Sequence, residues 1–309
     1  MRVIFMGTPE FAVPSLRALD EAFDVVGVVT RPDAVRSRGK RLEPSPVKAE
    51  AEARDLRVIE TRRITPEVLD ELRALAADIV CVAAYGCILP DSVLELAPLG
   101  CVNVHASLLP RGRGAAPIQR AVLEGDERAG VSIMRVVHEL DAGAYCAQVS
   151  TEVADKPCAT LMAELAEMGG QALVEAIRGI EAGTVTWTEQ DESKVTYAHK
   201  IDKAEMRLEP SDAALANARR VQASTDAAPA RCVVAGKGVR VTLARVADVG
   251  EVPAALAPGA VICAHGRVWL GCADGALEVL GVKPDGKREM DARAWAAGLR
   301  GDGLTWERA

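Results

Sequence analysis

Residues 2–30 read RVIFMGTPEFAVPSLRALDEAFDVVGVVT, and this stretch decides the fold class. Both ends are short apolar runs of the kind that forms strands, and the middle has apolar residues at helical spacing. The pattern repeats with strand-like runs at 57–60 and 78–84, each preceded by a helical pattern. Strands and helices in alternation predict an α/β fold with a mainly parallel sheet.

The alternation of strand and helix patterns continues to about residue 183, and the sequence beyond residue 210 is rich in strand patterns instead. Further elements are expected at 101–105 (strand), 115–124 (helix), 130–137 and 144–152 (strands) and 159–183 (a long helix). A polar segment at 183–210 then has the composition of a linker. Beyond it, short strand-like runs separated by Gly and Pro turns predict a small β-barrel, with helices near 211–222 and 291–299. The predicted division is a first domain at 1–190, a linker at 191–207 and a second domain at 208–309.

The composition of the chain bears on its cellular location and on whether it binds a metal. No uninterrupted apolar run approaches the roughly 20 residues that a membrane-spanning helix needs. The N-terminal MRVIFMGTPEF has the pattern of a buried strand and not that of a secretory signal, so we expect a cytoplasmic protein. The cysteines stand singly inside apolar segments, with no C-x-x-C pair and no His at ligand spacing, which predicts buried free thiols and no metal site. They are residues 81, 87, 101, 146, 158, 232, 263 and 272.

The turn after the first strand argues against nucleotide chemistry. It reads GTPEFA at 7–12, with one glycine and an early proline, and so lacks the G-x-G-x-x-G pattern that places a helix on a pyrophosphate. The P-loop pattern is absent from the sequence as well. We therefore expect no nicotinamide or other nucleotide cofactor.

Charge is uneven along the chain. The net charge is −7, yet residues 31–48 hold six basic and two acidic side chains, a local +4. Phosphate binding depends on such local Lys and Arg, so this basic stretch is a candidate contact for nucleic acid, although a solvated charged loop is the plain alternative.

The stretch NVHASLLPRGRGAAPIQ at 103–119 is the strongest candidate for chemistry. Asn103 and His105 are two residues apart and therefore share one face of a strand, at the carboxyl end where open α/β sheets bind ligands. A loop held in shape by Pro and Gly follows them. Asp141, in ELDAGA, precedes another strand, and spacing alone favours a turn-capping role for it over a catalytic one.

These motifs resemble the formyltetrahydrofolate-dependent formyltransferases. The resemblance is carried by NVHASLLP, RGAAPIQ and LDAG, and extends over nearly the full length through FMGTPEFA, TRPDAVRSRGKRLEPSPVK, VAAYGCILP, PGAVI and KPDGKREM. Several of these strings are most similar to family members that act on charged initiator tRNA. The resemblance implies a Rossmann-like catalytic domain, a linker and a C-terminal domain similar to an OB-fold.

The resemblance also implies site residues, a co-substrate and a partner. Its catalytic Asn, His and Asp fall on Asn103, His105 and Asp141. The formyl donor would be 10-formyltetrahydrofolate, the acceptor the amine of charged initiator tRNA, and the active unit a monomer. The residues implied for folate are Ser107, Leu108, Leu109, Pro110, Tyr85, Gly86 and Ile88, and those for tRNA are Arg36, Arg38, Lys40, Arg41, Lys200 and Lys203.

Two departures from the family pattern and two rival functions stay open. Gly112 stands where many relatives have a bulky aromatic, and VQASTDAAPARC at 221–232 replaces an Asn-Pro-Trp-Pro stretch. The chief rival is another formyltransferase, for glycinamide ribonucleotide or a sugar-nucleotide amine, or a formyltetrahydrofolate hydrolase, which would share the three catalytic residues. The second rival is an RNA-binding module without chemistry.

Overall fold

The computed structural model describes residues 1–35, 42–248, 250–299, 301 and 303–309, which form two compact units. Unit 1 comprises Met1–Pro117, Arg128–Glu152 and Met162–Ala198, and unit 2 comprises Ile118–Glu127, Val153–Leu161 and His199–Ala309. Two short stretches from the middle of the chain, Ile118–Glu127 and Val153–Leu161, thus group with the C-terminal residues. Among the described residues, no helix has both the length and the apolar character needed to cross a membrane.

The elements of the first two thirds of the chain alternate as the sequence predicts. They are β1 (Arg2–Gly7), α1 (Val13–Ala22), β2 (Asp24–Thr30), β3 (Ala34–Val35), β4 (Leu42–Glu43), α2 (Pro46–Ala53), β5 (Val58–Glu60), α3 (Pro66–Ala74), β6 (Ile79–Ala83), α4 (Asp91–Leu94), β7 (Cys101–His105), α5 (Pro117–Glu124), β8 (Arg128–Arg135), β9 (Tyr145–Glu152) and α6 (Cys158–Glu181).

Unit 1 is built on a sheet with the order β5-β2-β1-β6-β7-β8-β9. The first five strands in this order are parallel, while β8 and β9 run antiparallel to their neighbours. Both faces of β1 and β6 are buried, as expected for parallel strands covered by crossover helices. The predicted α/β fold with a mainly parallel sheet is confirmed.

Two helices of unit 1 begin at sequence signals that satisfy their free backbone N–H groups. The Ser45 hydroxyl accepts from the backbone N–H of Lys48, and the Thr65 hydroxyl accepts from that of Val68. In both helices the next residue is proline, whose fixed φ suits the first helical position. These caps explain why α2 and α3 start where they do.

Adjacent glycines in the middle of α6 allow it to lie close to its neighbours. A Cβ at Gly169 would come within 2.9 Å of a Val104 methyl group on β7. A Cβ at Gly170 would come within 2.9 Å of the Pro14 carbonyl oxygen on α1. Glycine weakens a helix interior, and the close approach on both sides explains why it stands here.

We expect Gly170→Ala to lower the free energy of unfolding by about 1–3 kcal/mol, because the new methyl group would press on backbone atoms that cannot rotate away. Helix propensity alone would predict the opposite sign, a gain of about 1 kcal/mol. Urea denaturation measures the difference. Gly275→Ala is the control, since its Cβ would meet nothing within 4 Å. If Gly170→Ala were as stable as the wild-type protein or more stable, α6 would not be in close contact with α1 at this position.

Unit 2 contains an antiparallel sheet with the order β12-β13-β14-β11-β10-β16, with β15 paired to β14. Its elements are α7 (Ala214–Gln222), β10 (Arg231–Val234), β11 (Lys237–Val246), β12 (Val261–Ala264), β13 (Arg267–Gly271), β14 (Ala276–Pro284), β15 (Met290–Asp291), α8 (Ala292–Ala296) and β16 (Trp306–Arg308). Backbone hydrogen bonds from Trp306 N to Gly259 O (2.8 Å) and from Val261 N to Leu304 O (2.9 Å) join its two outer strands. The sheet is thus curled, and the predicted small barrel domain is confirmed.

The turns and core of this barrel follow from local sequence. Ala235–Gly236 and His265–Gly266 each link two strands with both residues at positive φ, the geometry of tight two-residue hairpins. Trp306 is buried in the barrel core, and its indole N–H donates to the Gly271 carbonyl at 2.9 Å.

All eight cysteines are free, as predicted, although Cys87, Cys146 and Cys263 are only partly buried.

Candidate active site

Strand β7 delivers the two predicted catalytic side chains to one face of the sheet. Asn103 and His105 alternate with Val102 and Val104, and Val104 lies on the face that α6 covers. His105 is buried at the carboxyl end of the strand, while Asn103 is partly exposed. The strand therefore keeps its apolar face for the core and turns its polar face to the site.

Asp141 lies beside His105, from a loop 36 residues further along the chain. The Nδ1 atom of His105 is 3.7 Å from Asp141 Oδ1. The other carboxylate oxygen, Oδ2, accepts from the backbone N–H of Gly114 at 2.9 Å. On the far side of the ring, His105 Nε2 is 3.0 Å from the Gly112 carbonyl oxygen. The imidazole is thus fixed between a carbonyl and a carboxylate.

The backbone at Asp141 explains the LDAG sequence. Asp141 has φ +52°, in the left-handed region that is unfavourable for most side chains. Gly143 has no room for a side chain, since a Cβ there would lie 2.1 Å from the Arg135 carbonyl oxygen. Spacing alone favoured a local cap for Asp141, but the structure shows its carboxylate bound to Gly114, 27 residues away.

The loop after β7, residues 106–116, is held by two polar side chains of the antiparallel strands. The Ser132 hydroxyl donates to the Ser107 carbonyl at 2.6 Å and accepts from the Leu109 N–H at 3.1 Å. Gln148 Nε2 donates to the Leu109 carbonyl and to the Ser132 hydroxyl, both at 2.9 Å. The sequence interpretation missed both residues, although a polar residue inside the apolar run VSIM was an available signal for Ser132.

The residues predicted for folate lie in two loops of unit 1. Ser107 and Leu109 are buried and hold their own loop, while Leu108 and Pro110 are partly exposed. In the other loop, Gly86 has φ +80° and its carbonyl accepts from Arg31 Nη1 at 2.9 Å. The structure places both loops after strand ends, at the edge of the sheet where β6 and β7 finish.

Tyr85 and Ile88 of this second loop differ sharply in environment. Tyr85 is buried, its hydroxyl has no hydrogen-bond partner in the described part of the chain, and burial raises its pKa to about 12. Ile88, by contrast, is 90% exposed. An apolar group open to solvent next to the site can contact a flat ligand ring, whereas Tyr85 belongs to the core.

The residues predicted to contact tRNA either lie outside the described part of the chain or belong to unit 2. Arg36, Arg38, Lys40 and Arg41 lie outside the residues that the structure describes. Lys200 and Lys203 are exposed and belong to unit 2. The basic stretch does begin beside Thr30, at the end of β2, and β2 runs parallel to the strands that lead to β7. Its first residues therefore leave the same edge of the sheet as His105.

Gly112, the departure from the family pattern, lies in direct contact with the site. It has φ +76°, and its carbonyl is the one that faces His105 Nε2. Its N–H donates to the Thr196 hydroxyl at 2.9 Å, and a Cβ there would lie 3.0 Å from Ser107 Cβ. Glycine thus suits this positive φ, and both its carbonyl and its N–H have hydrogen-bond partners.

Two further buried polar residues support the Asp141 loop, one directly and one through the other, and neither was predicted from the sequence. They are Gln190, whose amide bonds two carbonyls of that loop, and Arg113, which bonds Gln190. Gln190 lies in the polar segment 183–210, one residue before the predicted linker at 191–207, and the composition of that segment gave no signal. Among the described residues, no group of three or more His, Cys, Asp or Glu side chains could hold a metal ion.

Comparison with known proteins places this geometry in a family. The formyl transferase family model matches residues 1–177, and the model of the formyl transferase C-terminal domain matches residues 200–300. The chain therefore belongs to the formyl transferase family, whose donor is formyltetrahydrofolate.

Full-length relatives define its branch of that family. The chain is 44% identical over 297 residues to methionyl-tRNA formyltransferase of Methylococcus capsulatus, covering 95% of each chain. It is 39% identical over 319 residues to the enzyme of the same name in Bifidobacterium longum, covering 97% of each. The solved structure of WlaRD, a sugar 3N-formyl transferase, shares the fold at 14% identity with a TM-score of 0.67, covering 93% of this chain and 99% of that one. Within the family, the chain groups with the methionyl-tRNA formyltransferases.

Proposed function

We propose that this chain transfers the formyl group of 10-formyltetrahydrofolate to the amino group of methionyl initiator tRNA, with Asn103, His105 and Asp141 as its catalytic residues. The single observation that carries the assignment of the site is the contact between His105, at the end of β7, and Asp141, on a loop 36 residues further along the chain. The substrate is supported by the full-length relatives at 39–44% identity.

The reaction requires groups of these types. As the amine attacks the formyl carbonyl, negative charge develops on its oxygen and needs donors fixed in advance. Asn103 supplies an amide N–H₂. His105 supplies a ring N–H, and because Nε2 can donate to the Gly112 carbonyl, Nδ1 is the nitrogen that faces Asp141 and the reacting groups.

Asp141 supplies the acceptor. Donation from both Nε2 and Nδ1 requires a ring that carries N–H groups on both nitrogens, and Asp141 Oδ1 lies 3.7 Å from Nδ1. The same carboxylate can take the proton that the attacking amine loses, directly or through a water molecule, and return it to the departing folate nitrogen. Its second oxygen is held by Gly114 N–H, so its direction is fixed before substrate binds.

The remaining contacts belong to the proposal as well. Folate would lie along residues 107–110, with its pterin near Tyr85, Gly86 and Ile88. Arg36, Arg38, Lys40 and Arg41 would contact the tRNA, with Lys200 and Lys203 adding to the contact from unit 2. Residues 1–190 and 208–309 would act as catalytic and tRNA-binding domains of a cytoplasmic monomer.

One assay tests the function directly. The protein is incubated with 10-formyltetrahydrofolate and either charged initiator tRNA or a sugar-nucleotide amine, and the formylated product is identified by mass. Formyl-methionyl-tRNA supports the proposal. Formylated sugar nucleotide alone would favour the activity of the WlaRD-like branch, and tRNA binding without formylation would favour a binding module.

Exhaustive dialysis against a chelator should leave the formylation rate unchanged. The three proposed catalytic groups supply the donors and the acceptor themselves, and the sequence has no ligand spacing around its cysteines or His105. The rate before and after dialysis is the measurement. Reproducible loss of activity that zinc restores would contradict the expectation.

A further inference from the structure

Residues 187–198 follow α6 and contact three parts of unit 1: the end of β8, the start of β9 and the loop after β7. The Trp187 ring lies under the Arg135 guanidinium, whose central carbon is 4.1 Å from the ring centroid. Thr188 and Tyr145 exchange two backbone hydrogen bonds, of 2.9 and 3.1 Å. The start of this segment is therefore fixed against β8 and β9, on either side of the Asp141 loop.

The end of the same segment is bonded to the loop after β7. Arg113 N donates to the Thr196 carbonyl at 3.0 Å, and Ala198 N donates to the Arg113 carbonyl at 2.7 Å. The Thr196 hydroxyl accepts from Gly112 N at 2.9 Å. The segment thus spans both loops that contact the His105 ring.

Gln190 lies in the middle of this span and is buried. Its Nε2 atom donates to the carbonyl oxygens of Asp141 and Gly143, both at 2.8 Å. Its Oε1 atom accepts from Arg113 Nε at 2.9 Å. Both hydrogens of the amide are therefore used on the turn that presents the Asp141 carboxylate.

Arg113 fixes which way that amide points. Its guanidinium is buried, with a side-chain exposure of 1%, and its Nη2 atom pairs with Glu192 Oε1 at 2.7 Å. A guanidinium only donates, so it requires the oxygen of Gln190 on its side. The two N–H groups must then face the Asp141 turn.

We propose that Gln190, oriented by Arg113, is a positioning residue that holds the Asp141 carboxylate between His105 and Gly114 during formyl transfer. A non-glycine residue at φ +52° stays there only where its surroundings hold it, and Gln190 supplies two of the bonds that do so. The proposal rests on the proposed catalytic role of Asp141. Within the described part of the chain, the side chain of Gln190 bonds only Arg113 and the backbone carbonyls of Asp141 and Gly143, so it acts through Asp141.

The first test is Gln190→Ala in the full chain. We expect kcat to fall by about 10- to 100-fold, because a displacement of about 1 Å in a catalytic group has effects of this size. The KM values for 10-formyltetrahydrofolate and charged tRNA should stay within about twofold. Gln222→Ala is the matched control, because its amide also donates to two backbone carbonyls, those of Ala154 and Lys156, but in unit 2.

The second test separates positioning from general support of the fold. In an Asp141→Ala background, adding Gln190→Ala should lower kcat no further, since the group it positions is gone. An additive loss in the double variant, or wild-type kcat in Gln190→Ala, would overturn the positioning role alone. Wild-type kcat in Asp141→Ala would overturn the proposed catalytic site and this role together.

Gln190→Glu keeps the test decisive if the alanine variant does not fold. It retains an acceptor for Arg113 and replaces the two donors by an oxygen that repels the Asp141 and Gly143 carbonyls. We expect a folded protein with the same loss in kcat. A folded Gln190→Glu enzyme with wild-type kcat would refute the role.

Discussion

His105→Ala is expected to lower kcat by at least about 100-fold while binding of 10-formyltetrahydrofolate is retained. The Nδ1 atom of the ring lies 3.7 Å from Asp141 Oδ1, and an alanine side chain provides no donor in its place. Single-turnover formylation measures the chemical step, and equilibrium titration measures folate affinity. His138→Ala is the control, since its side chain is 91% exposed.

The other two members of the site should behave alike. Asn103→Ala removes the second oxyanion donor, and Asp141→Ala removes the acceptor and the partner of the ring, so each should also lose at least about 100-fold in kcat. The effects of residues that act as one catalytic unit are not additive. The kcat of the triple alanine variant should therefore be little lower than that of the least active single variant. A His105→Ala enzyme within about threefold of wild type would refute the assignment.

Arg38→Ala should strongly weaken the use of charged tRNA and leave folate affinity unchanged. Arg38 precedes Gly39 in the basic stretch, at the position where the family resemblance places a loop arginine, and it lies outside the described residues. Each phosphate contact removed should reduce the log–log salt slope by about 0.7–0.9. The measurement is kcat/KM for charged tRNA across a salt series.

A joint replacement of Arg36, Arg38, Lys40 and Arg41 by alanine should enlarge both effects. Arg57→Ala is the control, because this half-exposed arginine pairs with Glu71 away from the basic stretch. Wild-type efficiency and salt slope in both loop variants would contradict the tRNA contact and favour the sugar-nucleotide activity.

The parts of the fold that could be predicted are those with short-range signals. Strands β1, β2, β6 and β7 were visible as apolar runs, and their parallel order followed from the helices between them. Asn103 and His105 could be predicted as a pair because alternation along one strand fixes their common face. Asp141 needed the family resemblance, since spacing alone favoured a local cap.

The parts that could not be predicted depend on contacts distant in sequence. Gln190 and Arg113 are 77 residues apart, and nothing in either neighbourhood indicates the other. The polar composition of 183–210 suggested a linker because it has little periodicity. The backbone groups of residues 188–198 instead find partners on strand β9 and on the loop after β7, which no local pattern encodes.

The contacts of residues 187–198 set the minimum length of an active fragment that is shortened from the C-terminus. A protein shortened to end at Glu181 would retain all seven strands of the first sheet together with Asn103, His105 and Asp141. It would lack the partners of Arg113, Gly112 and the Asp141 turn, leaving a buried guanidinium without its acceptors. A fragment able to react is therefore expected to extend at least to Ala198.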